Sequence, residues 1–187
     1  MSRSELCAAL CAFGLAAAAG SLQAQGFGFG KQASEREVAG WDIDASADGK
    51  GLPRGSGTAA KGKPLYEMHC GACHGMKGEG NAADRLVGGR GTLNTDKPVM
   101  TVGSYWPYAP TVYDYINRAM PFNAPQSLPA DEVYAITAYL LFLNGIIGEN
   151  EAMDASSLPK VQMPNRKGFT ADPRPDIVNV PCRIDCR

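Results

Sequence analysis

The run Cys70-Gly71-Ala72-Cys73-His74 sets two thiols three residues apart, with an imidazole directly after the second. On a helix that spacing is one turn, so both sulfurs and the ring serve one site. Two thiols so placed can add across the two vinyl groups of a single porphyrin. The adjoining histidine then lies beneath the iron. Cys-x-x-Cys-His is the attachment signature of c-type haem. Cys70, Cys73 and His74 are therefore the candidate cofactor-binding residues for one covalent haem c, with His74 the first metal ligand.

What the iron can do depends on its other face. The chain has only two histidines, and His69 is too near His74 in sequence to cross to the opposite side of the ring. Methionine is the next common ligand, and a Met/His pair raises the reduction potential. Met120 is the favoured candidate, since it ends a predicted helix and is followed by Pro121. Met100, in a loop, is the runner-up. Met68 and Met76 flank the motif on the wrong side, and Met153 and Met163 follow the last strong helix. Core filling is the ordinary role against which each methionine is weighed. Tyr105, Trp106, Tyr108 and Arg90 are candidates to face a haem propionate, with simple packing or solvation the alternative.

These residues need helices to hold them. The pattern predicts a helix from about Thr58 to Cys70 with the motif at its end, and Gly- and Pro-rich loop over 76–110. A short helix is predicted over Thr111–Ala119, where Val112, Tyr115, Ile116 and Ala119 recur at helical spacing. Pro121 ends it. The strongest helix is predicted from Pro129 to Asn144. Asp131 and Glu132 suit its first turn, and Gly145 suits its stop. Its apolar residues run all round, so it should pack on both the haem and the first helix, with Tyr139 in the core. Ser34-Glu35-Arg36-Glu37 has the form of a capping box. Trp41 is expected to anchor a leading segment over the core.

A formal charge of -1 over 187 residues gives no support to nucleic-acid binding or to strong electrostatic steering. Residues 1–24 read as a signal peptide, with an apolar run from Leu6 to Ala19 and Leu22-Gln23-Ala24 before the expected cleavage. Export to the periplasm would remove Cys7 and Cys11 and leave Cys182 and Cys186, which in an oxidising compartment are expected to pair or to bridge to a partner.

The order of helix, Cys-x-x-Cys-His, loops, Met120-Pro121 and a final apolar helix resembles class I cytochrome c, an all-α fold, over 58–146. Trp41-Asp42-Ile43-Asp44, Asp84-Arg85-Leu86-Val87-Gly88-Gly89, Val102-Gly103-Ser104-Tyr105-Trp106-Pro107-Tyr108 and Arg118-Ala119-Met120-Pro121-Phe122-Asn123-Ala124-Pro125 narrow the resemblance. So do Asn144-Gly145-Ile146-Ile147, Leu158-Pro159-Lys160-Val161 and Met163-Pro164-Asn165-Arg166. Together they resemble the SoxD family, the cytochrome subunits of bacterial sulfane dehydrogenase, in a short one-haem form. The resemblance implies a signal peptide (1–24), an N-terminal extension (25–57), a cytochrome c domain (58–146) and an irregular C-terminal extension (147–187). It implies a SoxC-like partner carrying a molybdenum cofactor, which oxidises sulfur held on the carrier SoxYZ. This chain would accept the electrons and pass them to another cytochrome c, with no substrate chemistry of its own. The extensions would grip the molybdenum subunit. Service to a sulfite dehydrogenase or another periplasmic dehydrogenase is the alternative. Two other classes, a haem enzyme or gas sensor with Met120 off the iron, and a zinc or dithiol protein, fit the sequence less well.

Overall fold

The structure, a computed structural model, describes residues 30–173. The expected signal peptide and cleavage site, Cys7, Cys11, Cys182 and Cys186 lie outside the described residues. Of the described residues, 30–40 and 41–173 form separate compact units.

In the first unit the capping box forms as its sequence predicts. Helix α1 (Glu35–Trp41) starts where Ser34 Oγ accepts from the Glu37 N–H at 3.3 Å and the Glu37 carboxylate accepts from Ser34 N at 2.8 Å. These bonds also lower the Glu37 pKa. Trp41 at the end of α1 is 84% exposed, so it does not anchor the leading segment as expected.

The second unit is built on helices α2 (Ala59–His69), α3 (Gly71–His74), α4 (Ala109–Ala119) and α5 (Ala130–Leu143). Thr58 caps α2, its Oγ1 accepting from Lys61 N at 3.3 Å. Helix α5 buries every residue from Val133 to Leu141, as its all-round apolar pattern requires. Helix α2 lies against it at Gly62, where a Cβ would strike the Ala135 carbonyl. One turn on, the Tyr66 and Tyr139 rings meet at 5.4 Å, which puts Tyr139 against the first helix. Helix α4 begins two residues earlier than its sequence period suggested, because Pro110 fits a first turn.

The core continues past residue 146. Strand β1 (Ser56–Gly57) pairs antiparallel with β2 (Met153–Asp154) in the register Ser56↔Asp154 and Gly57↔Met153. Met153, Leu158, Val161 and Met163 are all buried. A 3-10 turn over Leu158–Lys160 packs on α4. The segment before α2 is tied down as well, since Ala45 N donates to the buried Asp114 carboxylate of α4 at 2.8 Å. Asp114 also receives a two-nitrogen fork from Arg118, at 2.7 Å for Nη2. Among the described residues no helix is long and apolar enough to cross a membrane.

Candidate haem site

Helix α2 does not run through the motif. It stops at His69, and Cys70 turns the chain into the separate one-turn helix α3. Cys73 N and His74 N both donate to Cys70 O, at 3.1 and 2.9 Å. The two sulfur-bearing residues are thus held one turn apart, the separation the vinyl additions require. Cys70 is partly buried and Cys73 is exposed. Burial, then the neighbouring Cys73, push the Cys70 thiol up to about 11, so it stays protonated at neutral pH. Gly75 ends the turn at φ +81°, a conformation that favours glycine.

His74 is oriented by backbone. Its Nδ1 lies 2.7 Å from Asp84 O. A carbonyl can only accept, so Nδ1 carries the proton, and in the neutral ring the lone pair then sits on Nε2. That is the state a metal-binding imidazole needs, fixed by its second nitrogen.

The loop that supplies Asp84 is itself fastened to α3. Gly80 N donates to His74 O at 2.7 Å, Ala83 N to Cys73 O at 2.9 Å, and Asn81 Nδ2 to Ala72 O at 3.0 Å. Below it, the buried Tyr66 hydroxyl donates to Gly75 O at 3.0 Å. From the far side Asn144, the cap of α5, holds the same loop. Its Nδ2 donates to Leu86 O at 3.2 Å and to Leu140 O at 2.9 Å, and its Oδ1 accepts from Gly88 N at 3.0 Å.

Met120 and the aromatic candidates lie on α4 and the loop entering it. Met120 caps α4 with extended backbone and is only partly buried, and the Met120–Pro121 peptide is cis. The other described methionines sort differently. Met68, Met76 and Met100 are exposed, whereas Met153 and Met163 are buried in the core. Met120 alone of these six sits at the edge of the core, packed against it but still partly open. Trp106 meets Tyr115 of α4 edge-to-face at 5.8 Å.

Two thiols one turn apart, an imidazole oriented through Nδ1 and a partly open thioether make a donor set that fits haem c. The family profile for cytochrome c oxidase, cbb3-type, subunit III matches residues 57–140. The crystal structure of the sulfane dehydrogenase SoxCD from Paracoccus pantotrophus contains a chain 41% identical to this one. The match covers 87% of this chain and 83% of that one, with a TM-score of 0.74. The chain belongs to the SoxD family of cytochromes. Its fold is the mostly helical class I cytochrome c fold, and a cytochrome c domain implies haem c as cofactor. No curated protein matches the chain.

Among the residues considered for a propionate, Arg90 is exposed and its Nη2 reaches Asn144 O at 3.4 Å. Tyr105 and Tyr108 are instead met by the C-terminal segment. Asn165 Nδ2 donates to Tyr105 O at 2.7 Å, the Phe169 ring stands edge-on to Tyr105 at 5.3 Å, and the Arg166 guanidinium lies 5.2 Å over the Tyr108 ring. Sequence reasoning missed Asp84, whose contribution is a backbone carbonyl and so independent of residue type. It also missed Asn144 as a clamp, although an Asn before Gly145 was a visible cap signal.

Proposed function

We propose that this chain is the electron-transfer subunit of a sulfane dehydrogenase. Cys70 and Cys73 would hold haem c through thioether bonds, and His74 Nε2 and Met120 Sδ would ligate its iron. Haem c, when bound, supplies a one-electron couple. The observation that carries the reading is the His74 Nδ1–Asp84 O bond, which leaves the second ring nitrogen ready as a ligand. The Met120 thioether favours the reduced iron and so sets a high potential. With both iron ligands supplied by the chain, the protein's part would be to hold, tune and expose the cofactor rather than to bind a substrate.

Electrons come from a SoxC-like subunit with a molybdenum cofactor, which acts on sulfur carried by SoxYZ, and leave to another cytochrome c. The likeness to SoxCD supports that partner over a sulfite dehydrogenase. The apolar run in residues 1–24 supports export, with the mature chain working in the periplasm. In the C-terminal segment Met153, Leu158, Val161 and Met163 fill this chain's own core. The exposed surface around Cys73, together with the exposed parts of the extensions, is the docking region.

Intact mass of the exported protein should exceed the polypeptide mass by one haem, and Cys70→Ala with Cys73→Ala should abolish the increment. Met120→Ala should lower the midpoint potential and produce a high-spin ferric signal. An unaltered spectrum and potential in Met120→Ala would refute the second ligand.

A further inference from the structure

We infer that Arg166, delivered by the segment beyond the cytochrome c domain, is a cofactor-binding residue that holds a haem propionate carboxylate. The inference rests on the haem assignment above. Three observations carry it. The guanidinium carbon lies 5.2 Å over the ring of Tyr108, the residue that caps the start of α4. Its Nη1 is buried and meets no acceptor among the described residues. No described carboxylate pairs with it, although both ion pairs of the described structure use another arginine, Arg118.

An arginine cannot shed its proton to escape this position. A buried donor of a charged group without a partner costs free energy, so native proteins supply one. A carboxylate is the acceptor that matches a planar guanidinium with two parallel N–H bonds. Haem c brings two carboxylates, on the porphyrin edge away from the vinyl carbons that Cys70 and Cys73 take. Arg166 lies against the loop Val102–Tyr108 that leads into α4, the helix that Met120 caps at its other end.

The segment is built to fix this side chain. Arg166 N donates to Met163 O at 3.1 Å, and Met163 is buried. Asn165 grips Tyr105 O on one side, and Phe169 packs on the Tyr105 ring from the other. Arg90, the arginine favoured from sequence, lies exposed and turns toward Asn144 O.

The test uses the haem-loaded full chain and its Arg166→Gln, Arg166→Lys and Arg90→Gln variants, each read by potentiometric titration across pH. Loss of a positive charge beside the cofactor disfavours the added electron. Arg166→Gln should therefore shift the reduced-to-oxidised ratio about tenfold toward oxidised, equivalent to about 59 mV for one electron. The propionate, no longer paired, should titrate at higher pH, moving the pH-dependent limb of the potential upward. Arg166→Lys should restore most of both effects, and Arg90→Gln, which removes an exposed charge of the same kind, should leave most of the potential and its pH profile intact. A haem-loaded Arg166→Gln with unmoved potential and pH profile overturns this inference alone, as does an Arg90→Gln shift equal to that of Arg166→Gln. A parent chain without haem overturns the haem assignment and the inference together.

Discussion

Replacing Asn144 by alanine should loosen the loop that orients His74 without touching the haem motif. The amide makes three hydrogen bonds, to Leu86 O, to Leu140 O and from Gly88 N. Each is worth about 0.5–1.5 kcal/mol net. The bond to Leu140 O lies in the last turn of α5, where water can take its place. The two bonds to the loop dominate, so the expected loss is about 2 kcal/mol. In a chain of this size that lowers the melting temperature by roughly 4–8 °C. Reversible denaturant unfolding of the haem-loaded protein measures the loss, and hydrogen exchange locates it. The Gly88 amide should exchange faster while the middle of α5 stays protected. Asn144→Asp keeps the acceptor for Gly88 N but turns a carboxylate toward two carbonyl oxygens, so it should be no better than alanine. The exposed Asn94→Ala serves as a control and should stay within about 0.5 kcal/mol of the parent. An Asn144→Ala loss as small as that of the control, with Gly88 exchange unchanged, would refute the clamp.

Other substitutions probe the scaffold. Gly62→Ala forces a methyl group into the Ala135 carbonyl and the Tyr139 side chain, so α2 and α5 must separate; chemical denaturation should show a loss of about 1–3 kcal/mol. Tyr66→Phe removes the donor to the buried Gly75 carbonyl and should cost about 1–3 kcal/mol by the same measurement, with helix content unchanged. Hydrogen bonds from Ser156 and Ser157 hold the Asp154 carboxyl down to about 2, against an ordinary 3.8. The folded chain therefore binds fewer protons than the unfolded one between these values. The contribution of Asp154 is complete above about pH 4 and is lost as pH falls through about 2. The stability gap between the parent and Asp154→Asn should be constant above about pH 4 and close below it, as unfolding curves across pH would reveal.

Local signals in the sequence carried far. Ser34 with Glu37, Thr58 before α2, and the acidic start and apolar body of α5 act within one turn of the chain, and each appears where its chemistry predicts. The Cys-x-x-Cys-His spacing identified the site for the same reason, since one helical turn fixes three donors. What escaped depends on distant packing. Nothing in the types of Met153 and Met163 distinguishes a core residue from a stray one until β1 and β2 pair and the chain folds back over α4. Trp41, the expected anchor, lacks the long-range neighbours that would bury it. The end of α2 at Cys70 falls where the sequence placed it, but the separate one-turn helix α3 over the motif is too short to show in periodicity.

The arrangement of supports bears on what the site is for. A group that passes single electrons must keep its ligands in place in both oxidation states, and here each wall is tied to something outside itself. The His74 wall hangs on Asp84, whose loop is bonded to α3 at one end and to Asn144 of α5 at the other. The α4 wall begins under Arg166 and Asn165 of the C-terminal segment and is braced through Asp114 to Ala45, ahead of α2. The residues before α2 and in the C-terminal segment are thus structural parts of the α4 wall, and neither wall can shift without breaking bonds to a segment far away in sequence. Such cross-bracing suits a carrier that changes charge but not shape.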